Sequence, residues 1–413
     1  MRAKILFIFF VTLIIAGCRQ VNVDHSDTTQ NVKLELRPIR TIEQLEKYRR
    51  AGLVPDKIDR VYCSGGTLRL AVYFECADRI VATDGNERGD SERNGMKAYL
   101  AAHPELQSLP IAGASSGRDN PELLLSLKLP PQLIIKADTG AGYDPDELTK
   151  RTGIPILLIP MRGITVGKDQ FDYGLKLIGN ALGKNERAEA LIKFFNNEIA
   201  ELQKRSQIIV TKNNSTDQNT DQTADQNTDQ TADQIKRPTV YVGGVSYNGS
   251  HGFNSSEAGY PPFELVGANS FLDENKMDPI LGNRHTMLSK EKILEWNPDI
   301  LFVDLGTLSL GASSGVNELK NDSSYQSLTA VKNGKVYTLL ADTFYFVNHD
   351  AVLVNAWFVG KILYPEQFKD IDPKKKADEI FTFLVGKPVF DKLNHALQNL
   401  ALEKISVKEN SKK

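Results

Sequence analysis

Residues 120–135, NPELLLSLKLPPQLII, and residues 289–303, SKEKILEWNPDILFV, are two versions of one phrase. Each has a polar starter, a glutamate two positions on, leucines or isoleucines at helical spacing, a proline and a short aliphatic run. The spacing predicts a helix, and Glu122 and Glu291 fall in its first turn, where a carboxylate complements the helix dipole. Taken alone, that placement reads as helix capping. The aliphatic runs predict strands buried on both faces, as in parallel sheets. One such unit in each half of the chain predicts two α/β lobes of similar layout.

The alternation continues outward from both copies. Residues 60–63 read as a strand, 64–66 as a glycine turn, 67–78 (TLRLAVYFECAD) as a helix and 80–82 as a strand. Residues 146–152 read as a helix and 154–159 as a strand. From 170 to 207 the apolar positions are spaced and strand signals are missing, which predicts one long helix, or two end to end, as a spine between the lobes. The octapeptide NTDQTADQ at 219–226 then repeats unchanged at 227–234. A run this polar cannot repay its ordering entropy and predicts a disordered surface insertion over 209–236. Beyond it the strands are 239–243, 300–303 and 336–340, and the helices 262–266, 290–295, 350–363 and 373–384. The expected organisation is an N-terminal lobe at 33–165, an interlobe helix at 166–208, a C-terminal lobe at 237–400 and a polar tail at 401–413. A ligand cleft is expected where the carboxyl ends of the two sheets face each other.

The chain has 413 residues, with 50 Lys and Arg against 52 Asp and Glu, a balance that argues against a nucleic-acid binder. Only three cysteines are present, too few for a disulfide framework. Residues 1–18, MRAKILFIFFVTLIIAGC, combine a basic start with an apolar run too short to span a bilayer, the pattern of an export signal at 1–17. Residues 15–18 resemble the bacterial lipobox, which makes Cys18 the lipidated residue and 18–32 a tether. In an oxidising compartment Cys63 and Cys76 have two readings, a bridge or two buried thiols.

The doubled phrase resembles the signature of the iron-siderophore and cobalamin family of periplasmic substrate-binding proteins that serve ABC importers. Residues 60–84 are similar to that family's opening strand-helix-strand, LVGANSFLD at 265–273 to its central turn, and 346–368 to its closing helix. The first copy departs from the family in Pro131-Gln132, which stands where Pro-Asp is usual. The resemblance implies a class III periplasmic-binding-protein fold, two Rossmann-like lobes with parallel sheets joined by a long backbone helix. It further implies that Glu122 and Glu291 dock onto an ABC permease coupled to an ATPase.

Within that frame the loops after each strand carry the ligand candidates. Ser64, Gly65 and Gly66 precede a helix N-terminus, where backbone N–H groups suit an anion, although the glycines also read as a plain turn. Arg88, Arg93, Arg118, Arg162 and Arg284 lie on loops, and a guanidinium donates paired hydrogen bonds to carboxylate, catecholate or hydroxamate oxygens; individually each also reads as a solvated charge. Tyr247, His251, Phe253 and Tyr260 sit among glycines in the second lobe, and Tyr345, Phe346 and His349 before its last helices. Aromatic faces suit planar or chelate ligands, and a histidine, His285 included, can ligate iron. No HExxH or CxxCH spacing occurs, so a metal contact would depend on tertiary proximity. Asp84 and Glu87 read as solvated or ligand-adjacent. Neither GxSxG nor GxxxxGKS is present, and no catalytic set stands out. The expectation is a non-enzymatic, monomeric, exported lipoprotein on the periplasmic or outer face of a membrane, with no intrinsic cofactor and a ferric siderophore or similar chelate as cargo. A corrinoid or haem is the alternative cargo, and a metal-handling enzyme of chelatase-like fold the alternative class.

Overall fold

Aliphatic runs form the central strands of two sheets, one largely and one wholly parallel. In the computed structural model, which describes residues 34–88, 96–160, 163–206, 237–246, 251–272 and 285–407, the first sheet has six strands in the order β4-β3-β2-β1-β5-β6. These are β1 (Val61–Ser64), β2 (Ile80–Asp84), β3 (Ile111–Ala114), β4 (Arg118–Asp119), β5 (Leu133–Ala137) and β6 (Ile156–Ile159). All neighbours run parallel except β3 and β4, which form a hairpin. The second sheet is parallel throughout, in the order β12-β11-β7-β9, from β7 (Thr239–Gly243), β9 (Asn269–Ser270), β11 (Ile300–Asp304) and β12 (Val336–Leu339). A separate antiparallel pair joins β8 (Ser255–Glu257) to β10 (His285–Met287).

The two copies of the opening phrase fold alike. Helices Pro121–Ser126 and Lys290–Trp296 each place their glutamate second. Capping is done by the residue in front: Leu123 N–H donates to Asn120 Oδ1 at 3.0 Å, and Lys292 N–H to Ser289 Oγ at 3.1 Å. Leu124 is the residue the first copy sends inward, joining Tyr62, Ala82, Ile134, Leu148 and Leu158 in a buried cluster.

The spine is neither one helix nor two end to end. Lys168–Leu182 and Asn185–Arg205 are separate helices broken at Gly183, whose φ of +68° lies in the left-handed region where glycine ends helices. Phe171 and Phe195 meet edge to face at 5.2 Å. They lie 11 residues before and 10 residues after the ends facing the break, so the second helix must double back on the first. The first packs on β6, with Gly174 against Ile159. The second belongs to the other lobe's helices: Glu198 accepts from Trp357 Nε1 at 2.6 Å and from Lys376 Nζ at 2.9 Å.

The tail at 401–407 is also not the expected polar extension. Ala401, Leu402, Ile405 and Val407 are buried, and the backbone runs beside β12, with Thr338 N–H donating to Glu403 O and Ile405 N–H to Val336 O, both at 2.9 Å. Ile405 and Val407 alternate with Lys404 and Ser406, the period of a segment laid along a sheet edge. Cys63 and Cys76 are buried free thiols. Among the described residues no helix is long and apolar enough to cross a membrane. Cys18, the 18–32 tether and the 209–236 insertion lie outside the described residues.

Candidate functional site

The lobes meet where the carboxyl ends of β1, β2 and β3 receive the segment that follows β12. Residues 344–348 of that segment cross from the second lobe as a strap, gripped by one residue of the first. Arg69, on helix Leu68–Tyr73, is fully buried. Its guanidinium donates to the carbonyls of Phe346 (2.9 Å), Val347 (2.6 Å), Phe344 (3.2 Å) and Tyr345 (3.3 Å), to Asn348 Oδ1 (2.6 Å), and to Gly66 O (3.1 Å) in its own lobe. A buried cation is tolerable only with such a full set of acceptors. Lys97 Nζ stands 5.6 Å from the Phe344 ring centroid, and Asn348 Nδ2 donates to Met96 O at 3.2 Å.

The strap sits directly on the glycine turn. A Cβ on Gly66 would lie 2.6 Å from Tyr345 O and 3.0 Å from Phe346 Cβ, and the φ of +86° independently favours glycine. Tyr345 (φ +56°) and Phe346 (φ +117°) are themselves left-handed, a conformation that L side chains hold only when surrounding contacts impose it. Ser64 is buried too, its hydroxyl donating to Asp119 Oδ1 at 2.5 Å. Ser64, Gly65 and Gly66 therefore form the seat of the strap and present no open anion site.

Two layers of buried charge lie beneath. Asp119 accepts from Lys136 Nζ (2.6 Å) and Tyr62 Oη (3.0 Å), and Lys136 also donates to Gly117 O at 2.7 Å. This pair holds the turn between β3 and β4. Nearer the strap, Tyr345 donates its hydroxyl proton to Asp84 Oδ2 and accepts from the Ser116 N–H at 3.1 Å. Burial, aided by Glu87, pushes the Asp84 carboxyl up to about 7. Glu87 is itself buried, accepting from Tyr99 Oη at 2.8 Å and from Lys97 Nζ at 3.3 Å, while burial pulls the Lys97 ammonium below its usual range. Asp84 and Glu87 are thus interior groups of the joint and are not solvated.

In the second lobe, Asp304 ends β11 and accepts from Gly306 N–H (2.7 Å), Asp342 N–H (3.1 Å) and Tyr260 Oη (3.1 Å); burial raises its carboxyl to about 7. Tyr260 is wholly buried in that role, and His349 is buried against Phe171 at 4.5 Å, so neither faces a ligand. Their placement follows from the helices they begin, whose first turns point into the core. Phe253 is likewise interior, edge-on to Tyr241. Arg88 donates to Leu109 O at 2.8 Å, ahead of β3, which holds it away from the carboxyl edge. Arg118 stays exposed on β4. His251 and His285, 34 positions apart, are brought to a ring separation of 5.3 Å, and Ser255 Oγ lies 2.7 Å from His285 Nε2. Burial and the neighbouring His251 lower the pKa of His285. Arg93, Arg162, Tyr247 and Arg284 lie outside the described residues. Of the expected ligand set, the structure brings Tyr345 and the Arg118 turn together, and pairs His251 with His285.

Sequence reading missed Arg69, Lys97 and Lys136. The signal was present: a cation inside LRLAVYF and another inside LIIKA interrupt apolar runs that bury both faces, and such a cation must find a buried partner. Glu122 and Glu291 are exposed on their helices, and Glu122 is ion-paired with Arg151. Among the described residues no cluster of three or more His, Cys, Asp or Glu is arranged to hold a metal ion.

Residues 218–343 match the family model described as periplasmic binding protein. The molybdate-binding protein MolA of Haemophilus influenzae is 24% identical over 352 residues, spanning 79% of this chain and 86% of MolA. The solved structure of MolA bound to molybdate superposes with a TM-score of 0.57 at 20% identity, covering 81% of this chain and 95% of MolA. A TroA-like periplasmic binding protein, FepB from Veillonella parvula, gives 0.57 at 21% identity over 81% and 93% of the two chains. The periplasmic haem-binding protein HutB of Vibrio cholerae gives 0.50 at 16% identity over 74% and 99%. Residues 218–343 thus carry the periplasmic binding protein match, and the two lobes with their helical link share the fold of these solved structures.

Proposed function

We propose that this protein is the substrate-binding component of an ABC importer and that it captures an anionic metal species between its lobes. The observation that carries the reading is the joint itself: the carboxyl edges of both sheets converge on a strap that fastens the lobes, which leaves the exposed Ser116 and Arg118 beside it for a ligand. MolA, a molybdate-binding relative along 79% of the chain, supports a metal oxyanion as cargo. A second reading, a ferric siderophore or similar chelate, is favoured by the His251–His285 pair, whose imidazoles could fill open positions on a chelated iron. Either cargo calls for binding without chemistry, and transport energy would come from the ATPase. Export, and anchoring through a lipid on Cys18, complete the proposal; Cys18→Ser should abolish incorporation of labelled fatty acid.

Docking would use Glu122 and Glu291, the exposed acidic residues at equivalent positions in the two lobes. Uptake of radiolabelled molybdate or ferric chelate by cells carrying Glu122→Ala together with Glu291→Ala should fall at least tenfold, with ligand affinity of the purified protein unchanged. Wild-type uptake by the double variant would refute docking through these carboxylates.

A further inference from the structure

We propose that the Tyr345 hydroxyl is a built-in placeholder for a cargo oxygen, and that loading the site breaks its bond to Ser116 and so reports occupancy to the joint between the lobes. The inference rests on the reading that the site takes an anionic cargo.

Residues 115–118 form a tight turn between β3 and β4: Arg118 N–H points to Ser115 O at 3.4 Å, and Ser116 and Gly117 have φ of +60° and +69°. Two successive left-handed residues make this a type I′ turn, and serine holds the first position against its preference. The Asp119–Lys136 pair and Tyr143 N–H, which donates to Gly117 O at 2.8 Å, fix the turn from below. The Ser116 N–H is thereby aimed out of its own lobe, and what it meets is Tyr345 Oη at 3.1 Å.

A phenol has one proton, and Tyr345 gives it to Asp84. Its oxygen therefore accepts at Ser116, as an anionic cargo oxygen would. One N–H directed at a single acceptor cannot serve both well, so the two compete. Ser116 and Arg118 are exposed and Tyr345 is only half-buried, so a ligand can reach the shared N–H and find the guanidinium on the same turn. Tyr345 belongs to the strap, which Arg69 fastens through five acceptors, and its own φ is left-handed. Release of the phenol frees a strained residue where the strap touches this turn. Asp84 and Glu87 face the phenol's other side, and Asp84 would keep its proton engaged.

The test is titration of the purified mature protein with sodium molybdate by calorimetry, with the Ser116 amide followed by NMR. Tyr345→Phe keeps the ring and removes the competitor, so it should bind molybdate about fivefold more tightly, the equivalent of one net hydrogen bond. The Ser116 amide resonance of the wild type should move on molybdate addition, and in the ligand-free variant it should already be displaced. Unchanged or weaker binding by the variant, a wild-type Ser116 resonance that stays in place, or failure of both proteins to bind molybdate would each overturn the placeholder. A protein that fails here but still supports ABC-dependent uptake of another metal complex keeps the importer reading and loses only this inference.

Discussion

Arg69, Lys97 and Lys136 are cations enclosed by the fold, and each is held by acceptors within it. Removing one leaves its partner stranded. Lys136→Met deprives Asp119 of its ammonium partner at 2.6 Å, with only Tyr62 and Ser64 left to donate, and should lower unfolding free energy by about 3–5 kcal/mol in urea titrations. Gly66→Ala forces a methyl into Tyr345 O and should cost about 1–3 kcal/mol while loosening the strap, seen as faster amide exchange at 344–348. Neither effect could be read from residue type. A glycine pair before a helix reads equally as a ligand cradle or a seat for another segment, and only the chain 280 residues away decides which. Arg69 was legible as an anomaly, a charge inside an apolar helix, without its partners being so.

At the scale of elements, periodicity located the longer strands and helices to within a few residues, because buried aliphatic runs leave few alternatives. It failed where the signal is local and short. Strands β4 and β9 have two residues each, and β8 and β10 three, mostly polar, so tertiary pairing alone defines them. The doubled-back spine escaped notice because apolar spacing continues across Gly183 and says nothing about direction. The repeated phrase was the most informative stretch, since burial in it is specific. Leu124→Ala should destabilise the protein by about 2–5 kcal/mol, whereas Leu123→Ala and Leu125→Ala, at 43% and 48% exposed, should stay within about 0.5 kcal/mol. Thermal melts of the three variants distinguish these outcomes.

For the whole molecule, both lobes carry an interior carboxyl at the carboxyl edge of a sheet, Asp84 and Asp304, each pushed up to about 7 with burial as the leading cause. A carboxyl whose folded pKa exceeds its unfolded value near 4 binds its proton more tightly when folded. Its stabilising share is complete below the unfolded pKa and lost as pH rises through 7. The melting temperature should therefore fall between pH 5.5 and pH 8, and Asp304→Asn should flatten that slope; an unchanged slope in the variant would contradict a raised pKa at Asp304.

The proposed cargo is a metal-containing anion, and it is best caught where it was loaded. Purification of the mature protein from its native host without refolding, followed by native mass spectrometry with elemental analysis of the same sample, tests this directly. One molybdenum oxyanion or one ferric chelate per chain is expected, lost from a sample unfolded in acid. A chain that carries no metal, and takes up neither molybdate nor ferric chelate when these are supplied, would contradict it.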